Sequence, residues 1–359
     1  MRNKIVSIVG TVGLPAKYGG WETLVSNLTS ELNNDFDLTV FCSGVKYEEK
    51  SLECNGAKLR YVNLNANGVQ SIPYDVISIY QSLKFADTIL ILGVSGCVFL
   101  PFLRLFGKSK IIVNIDGLEW KRAKWNGFTK WFLKTSEKVA IKWADVVVAD
   151  NKAIKEYIAD EHGVSSVLIS YGANHVKKES LTDSVKVKHV FVNDKYAFKV
   201  CRIEPENNLD MILDAFKLNN SLALVIVGNW SNSVYGMELK RRYEQHSCLH
   251  LLDPIYNQKD LDMLRSNCSL YIHGHSAGGT NPSLVEAMSL QLPIVAFDVS
   301  YNRETTQNKA VYFSNQQELN DTLIKLDQLD LDHMALTMSA IASEEYVWPI
   351  IAQKYAKIF

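Results

Sequence analysis

The feature that most constrains this chain is a repeated alternation of short, β-branched apolar runs with longer amphipathic stretches. Runs at 4–9, 38–41, 58–62, 88–92, 110–115, 145–149 and 166–169 have strand length, and stretches such as 23–32 and 129–143 between them have helical spacing. Strand and helix alternating at this pitch imply a parallel sheet with helices on both faces. A polar segment at 179–188 interrupts the pattern, which restarts with runs at 198–201, 223–227, 249–251, 270–272, 294–297 and 311–313. At 359 residues the chain is also too long for one ordinary core. The expectation is an α/β chain of two Rossmann-like, doubly wound domains, 1–180 and 190–340. They face a cleft, since ligands of such sheets bind at the carboxyl ends of the strands. A last stretch, 343–359, has Tyr346, Trp348, Ile350, Ile351 and Tyr355 at helical spacing after the second sheet is complete, so it is expected to pack back across the hinge.

Composition removes several classes. With 47% apolar and 21% charged residues the chain is globular, and a formal net charge of -1 offers no global attraction to nucleic acid. Six cysteines are scattered without a Cys-x-x-Cys pair, as buried thiols of a reducing cytosol are. The apolar run at 5–9 is too short for a secretory leader. The uncharged stretch 88–103 is broken by Gly93, Ser95, Gly96 and Pro101 and is shorter than the roughly 20 residues of a membrane span.

Candidate chemistry gathers at loops that follow strands. His273-Gly-His-Ser-Ala-Gly-Gly-Thr-Asn-Pro-Ser-Leu-Val-Glu-Ala-Met288 lies between two apolar runs and reads as a loop opening into a helix. Asn281 suits the N-cap and Pro282 the first helical position. Gly278 and Gly279 let backbone approach a ligand, the amides at Thr280 to Ser283 and the helix dipole favour a phosphate, and Glu286 can accept from sugar hydroxyls. An ordinary capped loop–helix junction accounts for the same residues. Near the start, Gly10-Thr-Val-Gly-Leu-Pro-Ala-Lys-Tyr-Gly-Gly-Trp-Glu-Thr23 lacks Gly-x-Gly-x-x-Gly, which disfavours hydride transfer. Gly19 and Gly20 offer amides to an anion, or simply make a turn at positive φ. Arg202 ends a strand and suits a bidentate grip on a diphosphate, against the competing account of a surface ion pair with Glu204 or Glu206.

Asp116 and Glu119 follow the run at 110–115, so both are acid/base candidates; Asp116 is preferred, and Glu119 is read as solvated. The stretch 120–143 interleaves seven basic residues with four tryptophans, and Trp120, Lys121, Arg122, Lys124, Trp125 and Lys130 open it. Aromatic anchors beside basic groups suit anionic lipid. The competing account is a solvated helix face with Trp131, Val139 and Trp143 in the core. Leu100-Pro-Phe-Leu-Arg-Leu-Phe-Gly-Lys108 is a second apolar and basic stretch. Asp327, Asp330, Asp332 and His333 match no calcium loop and read as an exposed turn between helices.

Together these residues resemble, over the full length, the retaining GT-B glycosyltransferases of the family 4 type. The likeness is nearest to the bacterial rhamnosyltransferases of cell-wall, capsule and O-antigen synthesis. The motifs that carry it are Gly13-Leu-Pro-Ala-Lys-Tyr-Gly-Gly-Trp-Glu-Thr23, Asp116-Gly-Leu-Glu-Trp-Lys-Arg122, Cys201-Arg-Ile-Glu-Pro-Glu-Asn-Asn208 and His273-Gly-His-Ser-Ala-Gly-Gly-Thr-Asn-Pro-Ser-Leu284. The resemblance implies a nucleotide sugar held mainly by the second domain, an acceptor held by the first, no cofactor or metal, and a last helix crossing back to the first domain. It places Arg202 on the donor diphosphate, Gly19 and Gly20 opposite it, and Glu286 on the ribose or deoxyribose. The donor-binding set then comprises Gly19, Gly20, Arg202, Asn207, His273, Gly278, Gly279, Thr280, Asn281, Ser283, Leu284 and Glu286. Asp116 and Arg202 form the catalytic pair, and Glu119, Trp120, Lys121, Arg122, Lys124, Trp125 and Lys130 face acceptor and membrane.

Three departures from the wider family matter. Asn207 stands where many relatives have Lys, Gly278 where they have a Glu for hydroxyls of a D-sugar, and Asp116 where a His often touches the donor's 6-hydroxyl. An L-deoxysugar donor fits these changes. The expected reaction is transfer of L-rhamnose from dTDP-β-L-rhamnose to a hexose or N-acetylhexosamine on a polyprenyl-diphosphate lipid, at the cytoplasmic face of the bacterial membrane. UDP-glucose, UDP-GlcNAc or another nucleotide sugar is the alternative donor, and a non-catalytic scaffold that binds sugar nucleotides the alternative of another class.

Overall fold

The computed structural model describes every residue except Met1, Arg2, Tyr18, Asp116, Ala123, Lys124 and Asn220. Asp116 and Lys124, both singled out from the sequence, therefore lie outside the described residues. The chain forms two units, Met1–Tyr171 together with Trp348–Phe359, and Gly172–Val347.

In the first unit β1 (Lys4–Val9) leads into α1 (Gly20–Leu32), β2 (Phe36–Ser43), β3 (Glu53–Cys54) and β4 (Ala57–Val62). There follow α2 (Ser71–Ser82), β5 (Thr88–Leu92), α3 (Leu100–Leu103), β6 (Lys110–Ile115), α4 (Gly127–Trp143), β7 (Val146–Ala149), α5 (Lys152–His162) and β8 (Val167–Leu168). The sheet order is β3-β4-β2-β1-β5-β6-β7-β8, parallel but for the antiparallel β3–β4 pair. The sequence expectation missed β3 because two residues make no periodic run. Its turn was nonetheless written there: Asn55 and Gly56 both take positive φ, 50° and 74°, as a tight hairpin needs. In β1, Val6, Ile8 and Val9 are fully buried, as in a sheet covered on both faces. The chain leaves β1 toward β2 on one side and β5 on the other, so the loops after β1 and β5 diverge at the carboxyl end of the sheet.

The final helix, α14 (Trp348–Ile358), belongs to this unit and packs on α1, as the sequence led one to expect. Its last carbonyls attract cations, the favourable charge for a helix C-terminus. Lys110 Nζ donates to Ile358 O at 2.6 Å, and Lys4 Nζ donates to Phe359 O. Thr88 Oγ1 adds a 2.9 Å bond to Phe359 O, and Asn114 Nδ2 on β6 reaches Tyr355 Oη at 2.7 Å in the interior. Residues 343–345 are the end of the preceding helix rather than of this one.

The second unit contains α6 (Asp183–Lys188), β9 (Tyr196–Val200), α7 (Leu209–Leu218), β10 (Ala223–Val227), α8 (Val234–Tyr243), β11 (Leu249–Leu252) and α9 (Gln258–Ser266). It continues with β12 (Leu270–His273), α10 (Pro282–Ser289), β13 (Ile294–Phe297), α11 (Ser300–Thr305), β14 (Val311–Phe313), α12 (Gln316–Ile324) and α13 (Leu331–Glu345). The parallel order β11-β10-β9-β12-β13-β14 has its switch point between β9 and β12. One face of this sheet, with Ala197, Leu224, Ile226 and Ile272, packs on Leu213 and Phe216 of α7 and Leu319 of α12.

The chain passes from one unit to the other between Tyr171 and Gly172, ahead of the polar segment read as the joint. Residues 177–179, leading into that segment, strap the chain to α9, and most of the rest of it is exposed. Lys177 N donates to Asp262 Oδ2 at 3.1 Å, Glu179 N to Ser266 Oγ at 3.2 Å, and Asn267 Nδ2 to Glu179 O at 2.7 Å.

Replacing Tyr355 by Phe deletes one hydroxyl and leaves Asn114 Nδ2 buried without its acceptor. The expected loss is about 1–3 kcal/mol, read as a lower midpoint in urea unfolding. An unchanged midpoint would show that this bond does not anchor α14.

Candidate functional site

The two central strands of the second sheet end side by side. After β9 come Cys201 and an exposed Arg202, a single 3-10 turn at Pro205–Asn207, and α7. After β12 comes the loop to α10, and the two loops are knitted together. Asn208 Nδ2 donates to Gly274 O at 2.8 Å, Ser276 N to Glu206 O at 2.9 Å, and Asn302 Nδ2 to both His275 O and Phe297 O at 2.9 Å. A Cβ on Gly274 would sit 2.3 Å from Asn207 O, so close backbone approach demands glycine there. Asn207, expected on the diphosphate, spends its side chain inside this assembly. Its Nδ2 donates to Arg202 O at 2.9 Å, and its Oδ1 lies 3.3 Å from His275 Nδ1.

Gly278 has φ +97°, yet a Cβ there would meet nothing nearer than His275 Nε2 at 3.8 Å. Backbone conformation, not space, requires the glycine. Asn281 caps α10 as expected, accepting from Ser283 N at 3.0 Å and Ser283 Oγ at 2.8 Å. The amide of Ser283 is thereby used, and Leu284, fully buried, donates its amide to Asn281 O at 3.0 Å. Both residues hold the helix start rather than offering N–H groups to a ligand. Thr280 is buried beside them, and Gly279 completes the loop.

Glu286, in the second turn of α10, is the most strongly defined charge of the site. Arg265 Nη1 on α9 bonds its Oε2, and His175 Nε2 lies 3.2 Å from its Oε1. Burial alone would raise this carboxyl, but Arg265 and His175 together hold it down at about 2. The sequence reading found Glu286 and missed Arg265, because an Arg among the apolar positions of a helix looks like a surface residue until the fold brings its partner near. His273, expected at the donor, is instead 1% exposed at the end of β12. Neither ring nitrogen has a hydrogen-bond partner among the described residues, and burial holds the ring neutral, with help from Lys199 and His275.

In the first unit, Gly19 has φ +134°, and a Cβ on it would lie 1.9 Å from Glu22 Oε2. Glu22 folds back from the first turn of α1, accepting from Thr11 Oγ1 at 2.9 Å and Val12 N at 2.8 Å, so it orders the glycine-rich loop that Gly20 ends. Glu119 is not solvated as expected. It pairs with Arg122 Nε at 2.9 Å and accepts from Trp125 Nε1 at 3.2 Å. That pairing buries Arg122, which is thereby removed from any lipid-facing set. Lys121 remains exposed over the Trp120 ring, while Trp125 and Lys130 are half-buried.

The alternative account of 120–143 placed Trp131 and Trp143 in the core; they are 62% and 38% exposed. Phe128, Trp131, Lys134, Lys138 and Lys142 form the outward stripe of α4, and α3 packs beside it with Phe102 exposed, as is Leu105 in the turn that follows. No helix among the described residues is long and apolar enough to cross a membrane. Asp330, from the acidic cluster near the C-terminus, caps α13 by accepting from His333 N at 3.0 Å.

Sequence reading also passed over Asp75. Ser71, Asp75, Ser78 and Ser82 form a polar stripe on the buried face of α2, where apolar residues would be usual. Gly96 N, in the loop after β5, donates to Asp75 Oδ2 at 3.2 Å, while Oδ1 has no partner among the described residues. Burial pushes this carboxyl up to about 8.

Residues 3–174 match the family described as "Domain of unknown function (DUF1972)", and residues 182–338 match "Glycosyl transferases group 1". An uncharacterized glycosyltransferase of Methanocaldococcus jannaschii is 25% identical over 316 residues, covering 77% of each chain. Sucrose-phosphate synthase from Thermosynechococcus elongatus superposes with a TM-score of 0.83 at 14% identity, over 99% of this chain and 98% of that one. Anabaena HepE in complex with UDP-glucose gives 0.77 at 16% identity, over 99% of both. The fold is that of the GT-B glycosyltransferases, two α/β units with parallel sheets. The group 1 match over the second unit and the archaeal relative support a glycosyltransferase.

Asp75 gives a signed pH prediction. A carboxyl raised in the folded state binds its proton more tightly there than when unfolded. Stability is therefore lost as pH rises from the unfolded value of about 3.9 through about 8. Asp75→Asn, which carries no such charge, is expected to gain on wild type in urea midpoint between pH 5 and pH 9. A constant difference between the two would contradict the assignment.

Proposed function

We propose that this protein is a retaining, family 4-type glycosyltransferase that moves L-rhamnose from dTDP-β-L-rhamnose to a hexose or N-acetylhexosamine on a polyprenyl diphosphate, in bacterial surface-polysaccharide synthesis. The observation that carries the donor assignment is Gly278. Its positive φ disfavours the acidic side chain that relatives place there for a D-sugar. Arg202, exposed just past β9, grips the diphosphate and offsets the charge that develops on it as the sugar leaves, a role that otherwise falls to a metal. Glu286, ionised, accepts from the pentose of the nucleotide. The bond from the sugar's anomeric carbon to the diphosphate oxygen breaks. The bond to the acceptor oxygen forms on the same face, and the acceptor's proton passes to the departing phosphate or to Asp116.

A second donor reading has its own support: HepE, of the same fold, was solved with UDP-glucose. Purified protein is to be incubated with dTDP-rhamnose, UDP-glucose or UDP-GlcNAc and a glucosyl or N-acetylglucosaminyl lipid diphosphate. Release of dTDP at least tenfold faster than of UDP is expected, and Gly278→Glu should narrow that ratio. Faster release of UDP moves the assignment to a UDP-hexose, and no release from any donor favours a binding scaffold.

The acceptor lipid requires the protein at a membrane, and the outward stripe of α4 suits that task. Phe128 and Trp131 are apolar anchors, and Lys138 and Lys142 are exposed cations on the same stripe. The proposed location is the cytoplasmic leaflet, held peripherally. Lys138→Gln with Lys142→Gln should weaken partition onto anionic vesicles about thirtyfold, from about 1 kcal/mol per cation. Unchanged sedimentation with vesicles would mean that this face is only solvated.

A further inference from the structure

A fully buried guanidinium in the second unit is explained neither by packing nor by the reading of the site so far. Arg265 is 0% exposed on α9, with Nη2 2.8 Å from Asp262 Oδ1 and Nη1 bonded to Glu286 Oε2. Asp262 is itself fixed, by Gln258 Nε2 at 2.9 Å and by the strap through Lys177 N at 3.1 Å. On the other side of Glu286, His175 Nε2 lies 3.2 Å from Oε1. Burying three charges brings little net stability, since well-packed apolar residues would join α9 to α10 as firmly. The carboxylate of Glu286 is the member with a wetted side, at 15% exposure.

We propose that Arg265 is a positioning residue that fixes Glu286, ionised and oriented, as the acceptor for pentose hydroxyls of a nucleoside diphosphate. The proposal rests on the reading that Glu286 contacts the pentose. Two properties of Arg suit the role. Its fork spans two carboxylates at once, which an ammonium on a flexible stem does not, and its charge is permanent. Each Glu286 oxygen has one bond from the protein, which directs its remaining lone pairs outward. The charged and titratable groups around Glu286 are Arg265 and Asp262 on α9, His175 on the strap side, and Tyr271 on β12. Burial pushes the Tyr271 hydroxyl above its usual range, so it stays neutral. Without Arg265, burial of Glu286 favours its protonated form, a poorer acceptor.

The test is calorimetric binding of UDP-glucose and dTDP-rhamnose, whose diphosphates do not titrate in this range, at pH 5.5 and pH 8 to wild type, Glu286→Gln and Arg265→Gln. Wild type should bind equally at both pH values, and E286Q at least about tenfold more weakly at both. R265Q should bind about tenfold more weakly at pH 5.5 than at pH 8, with melting curves confirming that it is folded. Because His175 also contacts Glu286 Oε1, at 3.2 Å, and backs up its orientation, the profile is repeated with His175→Gln added, where it should steepen. If E286Q is weak while R265Q keeps wild-type affinity and a flat profile, the positioning role is overturned and the pentose reading stands. If E286Q binds like wild type, the pentose reading falls and the positioning role with it. Should R265Q not fold, Arg265→Lys keeps the cation but cannot span both carboxylates. It should then bind about three- to tenfold more weakly with a flat profile, and wild-type affinity in R265K overturns the proposal.

Discussion

Everything in this protein depends on parallel pairing of strands that are covered on both faces. Such a sheet has no room for polar side chains along most of its length, so Ile, Val and Leu fill β1, β5, β6, β10 and β13. Chemistry is thereby displaced to the carboxyl ends of the strands. In each unit the strand order reverses once, between β1 and β5 and between β9 and β12, and the loops diverge there. The glycine-rich loops and Arg202 lie beyond those ends, and α10, with Glu286, opens directly from the loop after β12.

Polar groups that the fold does bury near these ends are handled in two ways. Some are consumed by the scaffold: Glu22 ties the loop after β1, Asn207 braces the loop after β9, and Asn281 holds the start of α10. Others carry charge that burial would suppress unless a partner held it. Glu286 stays ionised because Arg265 and His175 face it, whereas Asp75, with a single amide donor, is pushed the other way. These two carboxyls thus end on opposite sides of neutrality, chiefly because of what stands opposite each.

Much of this was legible beforehand where the signal is local. The apolar runs became strands, with 4–9, 88–92, 110–115, 223–227, 294–297 and 311–313 matching residue for residue. Asn281 before Pro282 marked the start of α10, and the aromatic spacing of the last stretch marked α14. Readings failed where a residue's meaning depended on a distant partner. Glu119 and Arg122 look like separate surface charges and in fact neutralise each other. The strap at 177–179 is invisible in the sequence because its hydrogen-bond partners, Asp262, Ser266 and Asn267, lie some 85 residues further along the chain. Trp131 and Trp143 could be assigned to core or surface with equal ease until the helix was set against its neighbours.

The sequence by itself determined the alternation of strand and helix, the two-sheet plan, the helix caps and the loops where chemistry gathers. Each of these follows from periodicity or from conformational preference within a few residues. Only the tertiary structure decided that Arg265 lies buried against Glu286, that Asn207 and Leu284 face inward, and that an aromatic and basic stripe of α4 stays uncovered. Those outcomes depend on which groups packing brings within about 3 Å of one another. A residue's type and its nearest neighbours in the chain do not carry that information.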